Sequence, residues 1–141
     1  MASNSRKIFV TASVFFAFID RNHPKHDQGT AFFRYFAQER FNVCTHNLIV
    51  IETYNLLRVH VSYSIAKDFI RSLYLGDIEL IRSEDSDEKS ALRLILSEQN
   101  YDLSFEEALV NVLADRRQIP QICSFDSSRF LFGITPFTLP Y

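Results

Sequence analysis

Four short apolar runs, each set against segments with helical spacing, constrain this chain more than any other feature. The runs are Ile8 to Thr11, within "KIFVTASVFFAFID", then "FNVCT", "DIELI" and "PQICSFD", and "FGIT" offers a fifth. Each is short, β-rich and bounded by polar residues, as buried strands are. After the first, Ser13 suits a helix cap. The stretch "DRNHPKHDQG" carries a Pro and a Gly and reads as a loop. "TAFFRYFAQER" then puts Phe32, Phe33 and Phe36 at helical spacing, and "NLIVIETYNLLRVH" and "SYSIAKDFIRSLYL" read as two more helices, the second stopped at Gly76. "SEDSDEKS" reads as the entrance to a helix carrying Leu92, Ile95 and Leu96, with Asp85 and Glu88 spaced as a capping box. "YDLSFEEALVNVLADRR" places Ala108, Leu109, Val112 and Leu113 on one helical face. Strands alternating with helices predict right-handed crossovers and an α/β fold of three layers, α/β/α, around a mostly parallel sheet of four or five strands. Ligands of such sheets bind at the carboxyl ends of the strands. Thr11 and Asp126 fall at two of those ends.

The chain of 141 residues fits a single domain, 1–141, with 1–6 as a flexible N-terminal lead. A formal charge of −2 argues against broad adhesion to nucleic acid or anionic membrane, although a local basic groove remains compatible with it. Cys44 and Cys123 both lie in apolar runs, which predicts buried free thiols rather than a disulfide. The opening apolar run has the length of a signal-peptide core, but it ends in "DRNHPKH" without a small-residue cleavage site and is too short to cross a bilayer. A cytoplasmic protein that folds from its first strand is the expectation.

Three acids invite a chemical reading. Glu52 has Leu48, Ile49 and Leu56 as helical neighbours, so its carboxylate faces the core or a pocket, where burial without a partner is costly. A Glu that snorkels or pairs with an Arg explains it equally well. Glu107 closes the pattern Ser104-Phe-Glu-Glu, an S-x-x-E capping box that needs no catalysis. Asp126 ends a strand, a position also common for a capping Asp.

Taken in order, these segments resemble a known family. "IFVTASVFFAFID", "LIVIETYNLL", "YDLSFEEALV" and "CSFDSSRF" are similar to the four motifs of PIN-domain proteins, specifically the VapC-like toxins of type II toxin–antitoxin systems, over nearly the whole chain. The resemblance implies an endoribonuclease that hydrolyses RNA phosphodiester bonds with Mg²⁺ or Mn²⁺. It assigns Glu52, Glu107 and Asp126 to the metal pocket as catalytic acids, with Thr11, Ser13 and Ser124 as polar supports. It also implies an RNA substrate, a cognate antitoxin that covers the pocket, and a homodimer. Arg116, Arg117 and Arg129 are candidates to contact RNA phosphates, although a solvated helix end accounts for Arg116 and Arg117 as well.

Two positions depart from the family. Thr11 stands where the family carries its first Asp, so the pocket loses a charge and a strong metal ligand, which predicts weakened activity. A natural inactive member, a tolerated substitution and a deliberately disarmed toxin all fit that residue. Glu107 is longer than the usual Asp. The alternative reading is a catalytically inactive PIN-like module that binds RNA or protein.

Other signals carry less. His23-x-x-His26 and Cys44-x-His46 lack partners at zinc-site spacing. With glycines only at 29, 76 and 133, no phosphate-binding glycine loop exists. The density of Phe15, Phe16, Phe18, Phe32, Phe33, Tyr35 and Phe36 exceeds what one small core needs, so part of this set, or the tail "ITPFTLPY", is expected at an interface.

Overall fold

The first apolar run becomes the central strand of the sheet. In a computed structural model described over residues 6–97, 102–126 and 129–140, β1 (Lys7–Val10) pairs on one side with β2 (Asn42–His46) and on the other with β4 (Gln121–Cys123). β3 (Glu79–Ile81) and β5 (Thr135–Pro136) form the edges, giving the order β3-β2-β1-β4-β5 with every pairing parallel. Ile8, Phe9 and Val10 are wholly buried. A parallel strand covered on both faces is apolar throughout, which is why this run has no polar alternation.

Six helices among the described residues connect the strands: α1 (Ala12–Ile19), α2 (His26–Gln38), α3 (Asn47–His60), α4 (Tyr63–Leu75), α5 (Asp85–Ile95) and α6 (Phe105–Arg116). The chain builds outward from β1 to β2 and β3 through α1–α4. It then crosses back through α5 and α6 to the far side of β1. Right-handed crossovers in opposite directions put the two helix groups on opposite faces, completing three layers. The contacts agree, since α1 packs on α2 and α3, α3 on α4, and α5 on α6. The reversal of direction leaves a crevice at the carboxyl ends of β1 and β4, the place where open α/β sheets bind ligands.

Several local expectations change. The helix α2 begins at His26, inside the stretch read as a loop. Gly29 is needed there, because a Cβ would stand 3.1 Å from the Phe18 backbone nitrogen where α2 crosses α1. The capping box of α5 starts one residue early: Asp87, not Glu88, accepts from the Glu84 amide at 2.8 Å, and Glu88 takes the Ser83 hydroxyl instead. Leu92, Ile95 and Leu96 lie on the exposed side of α5, and Ala91 and Asp87 face inward. Ser13 is not the cap of α1; Thr11 occupies that position. The fifth strand, Thr135–Pro136, begins at the last residue of "FGIT". The expected flexibility of 1–6 lies, apart from Arg6, outside the described residues.

Of the aromatic set Phe15, Phe32 and Phe36 are buried in the core, Phe16, Phe33 and Tyr35 are half-buried, and Phe18 is exposed. Phe32 stacks on Phe125 at 5.3 Å, Phe36 meets Phe137 at 5.0 Å, and Phe15 meets Phe33 at 5.6 Å. Phe137 is buried, so the tail closes the core over α2. Both cysteines are buried and free, as expected. Among the described residues no helix is long and apolar enough to cross a membrane.

Candidate active site

Thr11 follows β1 directly and is half-buried. Its amide donates to the Cys123 carbonyl at 3.2 Å, continuing the β1–β4 ladder by one step, and its hydroxyl donates to the same carbonyl at 3.2 Å. The hydroxyl also lies 3.3 Å from Ser13 Oγ, which lies 3.4 Å from Ser124 Oγ. Ser13 Oγ accepts from the Phe125 amide at 2.9 Å, and Ser124 Oγ accepts from the Asp126 amide at 3.1 Å. Thr11, Ser13 and Ser124 thus form a chain of hydroxyls that stitches the start of α1 to the turn after β4. That turn sets Asp126 at the mouth of a cavity of about 170 Å³, lined by Thr11, Glu106, Glu107, Asn111, Asp126 and Arg129 among others.

Glu106, which the sequence reading passed over, is the acid at the centre of this group. It sits in the first turn of α6 and lines the cavity, whereas Glu52, expected to face the core or a pocket, is exposed on α3 and is not among the lining residues, though near enough to act on the Glu106 carboxyl. Burial pushes the Glu106 carboxyl up to about 7, reinforced by the charge and hydrogen bond of Glu52 and then by the charges of Asp126 and Glu107. Glu106, Glu107 and Asp126 thus line one cavity, with Glu52 of α3 near Glu106.

Glu107 is held differently. Its Oε1 accepts from the Ser104 amide at 3.0 Å and its Oε2 from the Arg129 amide at 2.9 Å. Ser104 Oγ in turn accepts from the Glu107 amide at 3.0 Å, completing the capping box. Burial alone pushes the Glu107 carboxyl up, but the Ser104 and Arg129 amides outweigh it and hold the group below the ordinary carboxylate range. Both oxygens are thus engaged by backbone.

The arginines divide as well. Arg129 lines the cavity. Arg116 and Arg117 instead clamp Asp87 of α5, at 2.9 and 3.3 Å, where Asp87 is 3% exposed. Burial pushes Asp87 up, yet the Glu84 amide and the two guanidinium groups hold it below its usual range. The bond is structural: it ties α5 to α6.

Glu106 was legible in one respect. The S-x-x-E pattern commits the third helical residue, Glu107, to the cap, which leaves its neighbour Glu106 free. Nothing in the local sequence gives the nearness of Glu106 to α3.

Among the described residues no three His, Cys, Asp or Glu side chains stand close enough to hold a metal ion by themselves. A hard cation such as Mg²⁺ is commonly held by one or two carboxylates, keeping its remaining positions for water and substrate phosphate. Glu106 and Asp126, which line the cavity, with Glu52 near Glu106, fit that description.

No protein-family profile and no curated protein matches the chain. Solved structures do. The VapC20 toxin of Mycobacterium tuberculosis, which cleaves the sarcin-ricin loop, matches with a TM-score of 0.72 at 21% identity, over 84% of this chain and 89% of its own. VapBC2 from Rickettsia felis, solved on a DNA fragment from its promoter, matches with a TM-score of 0.70 at 11% identity, over 93% of this chain and 97% of its own. The resemblance to VapC-like PIN-domain toxins is thus borne out in the fold, three layers around a parallel sheet.

Proposed function

We propose that this chain is a PIN-domain, VapC-like toxin, an endoribonuclease that hydrolyses RNA phosphodiester bonds with Mg²⁺ or Mn²⁺ and is weakened by Thr11. The observation that carries the reading is the cavity at the carboxyl ends of β1 and β4, lined by Glu106, Glu107, Asp126 and Arg129, with Glu52 of α3 near Glu106. Glu52 and Glu106 would hold the cation, and Asp126 adds negative charge at the mouth. The bound cation would neutralise the scissile phosphate and make a water nucleophilic. Arg129 is suited to the RNA phosphate, and the hydroxyl chain of Thr11, Ser13 and Ser124 holds the turn that carries Asp126. Thr11 brings a neutral oxygen already bonded to the Cys123 carbonyl, so the cavity has one anionic ligand fewer than the family pattern.

The proposed setting is a cytoplasmic toxin paired with a cognate antitoxin, and a homodimer. The fold shared with the VapBC2 complex supports the antitoxin, and exposed Leu48 and Ile51 on α3 with Tyr74 and Leu75 on α4 offer apolar surface for such contacts. A second reading, an inactive PIN-like module that binds RNA or protein, is favoured by Thr11 alone.

RNA cleavage separates the two. The chain and its Thr11→Asp variant are incubated with RNA in Mg²⁺ or Mn²⁺ and again in EDTA. Slow cleavage by the chain, faster cleavage by the variant and none in EDTA support the nuclease. If both proteins are folded and neither cuts, the inactive module stands.

A further inference from the structure

The two adjacent glutamates at the start of α6 do different things. Glu107 spends both oxygens on backbone amides from separate segments, Ser104 before the helix and Arg129 beyond β4. One turn later Asn111, 2% exposed, grips the same distal segment. Its Nδ2 donates to the Arg129 carbonyl at 2.9 Å and to the Glu107 carbonyl at 2.8 Å, and its Oδ1 accepts from the Leu131 amide at 2.8 Å. Arg129 is therefore fixed through both its amide and its carbonyl. A carboxylate that accepts two backbone amides gives them up only at the cost of leaving those donors unsatisfied. Among the described residues Glu106 makes no such bonds to the backbone. Its side chain lines the cavity.

We propose that Glu107 is a positioning residue which, with Asn111, pins the Arg129–Leu131 segment to α6 so that Arg129 lines the cavity, and that Glu106 takes the ligand place beside Glu52. The inference rests on the nuclease reading for its ligand half only. The clamp half stands on hydrogen bonds alone. It reassigns one acid of the expected set and explains why a Glu can occupy the position of the family's Asp: its extra length serves to reach the Arg129 amide.

The test uses the full chain, Mn²⁺ alone as the probe, and two variants, Glu106→Gln and Glu107→Gln, read by calorimetric titration and by hydrogen exchange at the amides of Arg129 and Leu131. In E106Q, Mn²⁺ binding weakens at least about tenfold and exchange at both amides is unchanged. In E107Q, Mn²⁺ affinity stays within about threefold of the parent and exchange at Arg129 speeds up by about tenfold or more. Loss of Mn²⁺ binding in E107Q with retention in E106Q overturns the assignment, as does unchanged exchange at Arg129 in E107Q. If E107Q does not fold, the clamp is supported and E106Q decides the ligand half. A parent chain that binds no Mn²⁺ defeats the nuclease reading and the ligand half with it, and the exchange measurement still decides the clamp.

Discussion

Replacing Glu106 with Gln removes one charge from the acid group and keeps an amide able to donate to Glu52, so its effect must depend on pH. In the folded chain the Glu106 carboxyl is raised from 4.5 to about 7. Between those values the folded state holds a proton that the unfolded state has released. Stability therefore falls as pH rises through this window, and the full penalty is present above it. A rise of this size corresponds to about 3 kcal/mol for a fully shielded carboxyl. Glu106 is exposed along much of its side chain, and solvent screening brings the figure down to about 1 kcal/mol. The Gln variant carries no such penalty. In EDTA it is expected to exceed the parent by about 1 kcal/mol near pH 8, a Tm gain of about 3 °C, and to match it near pH 4. Thermal melts followed by circular dichroism across that range measure the difference. A gain that does not vary with pH, or a loss near pH 8, refutes the argument that the carboxyls at 52 and 106 repel one another.

Three further outcomes follow from the frame around the site. Asp87→Asn breaks the tie between α5 and α6 and is expected to cost about 3 kcal/mol in urea melts at neutral pH, because two partly buried guanidinium groups lose their carboxylate. Below the lowered range of Asp87 the parent loses the same contribution, so the two proteins converge in acid. Phe36→Ala empties the aromatic cluster where Phe32, Phe33, Phe41 and Phe137 meet, at an expected cost of about 3–5 kcal/mol. Burial pushes the Cys44 thiol up to about 12, with Glu79 adding to it, and burial pushes Cys123 higher still. Both should resist a thiol reagent near neutral pH until the chain unfolds, and rapid labelling of the native protein contradicts that.

The sheet was legible because its central strands are buried on both faces, and such strands declare themselves as continuous apolar runs. Ile8 to Val10 and Ile122–Cys123 are of this kind, and the alternation of strands with helices then leaves few topologies. Less legible were features decided by contacts distant in sequence. The helix α2 starts inside a polar stretch because Gly29 lets it cross α1 closely. Arg116 and Arg117 look like solvated residues at a helix end until Asp87 arrives from another helix. The local pattern at Ser104 correctly described Glu107 as a cap, and the family resemblance drew it into the metal set. Glu106 gained its place only through Glu52, which lies on α3. Local chemistry can be read from neighbours along the chain, whereas convergence of side chains cannot.

The most direct measurement is a crystal of the full chain grown with Mn²⁺ and examined by anomalous scattering. A single peak bridging the Glu52 and Glu106 carboxylates, near Asp126 and with Glu107 still bonded to the Ser104 and Arg129 amides, is the predicted result. No peak at saturating Mn²⁺, or a peak bound by Glu107 and away from Glu106, contradicts it.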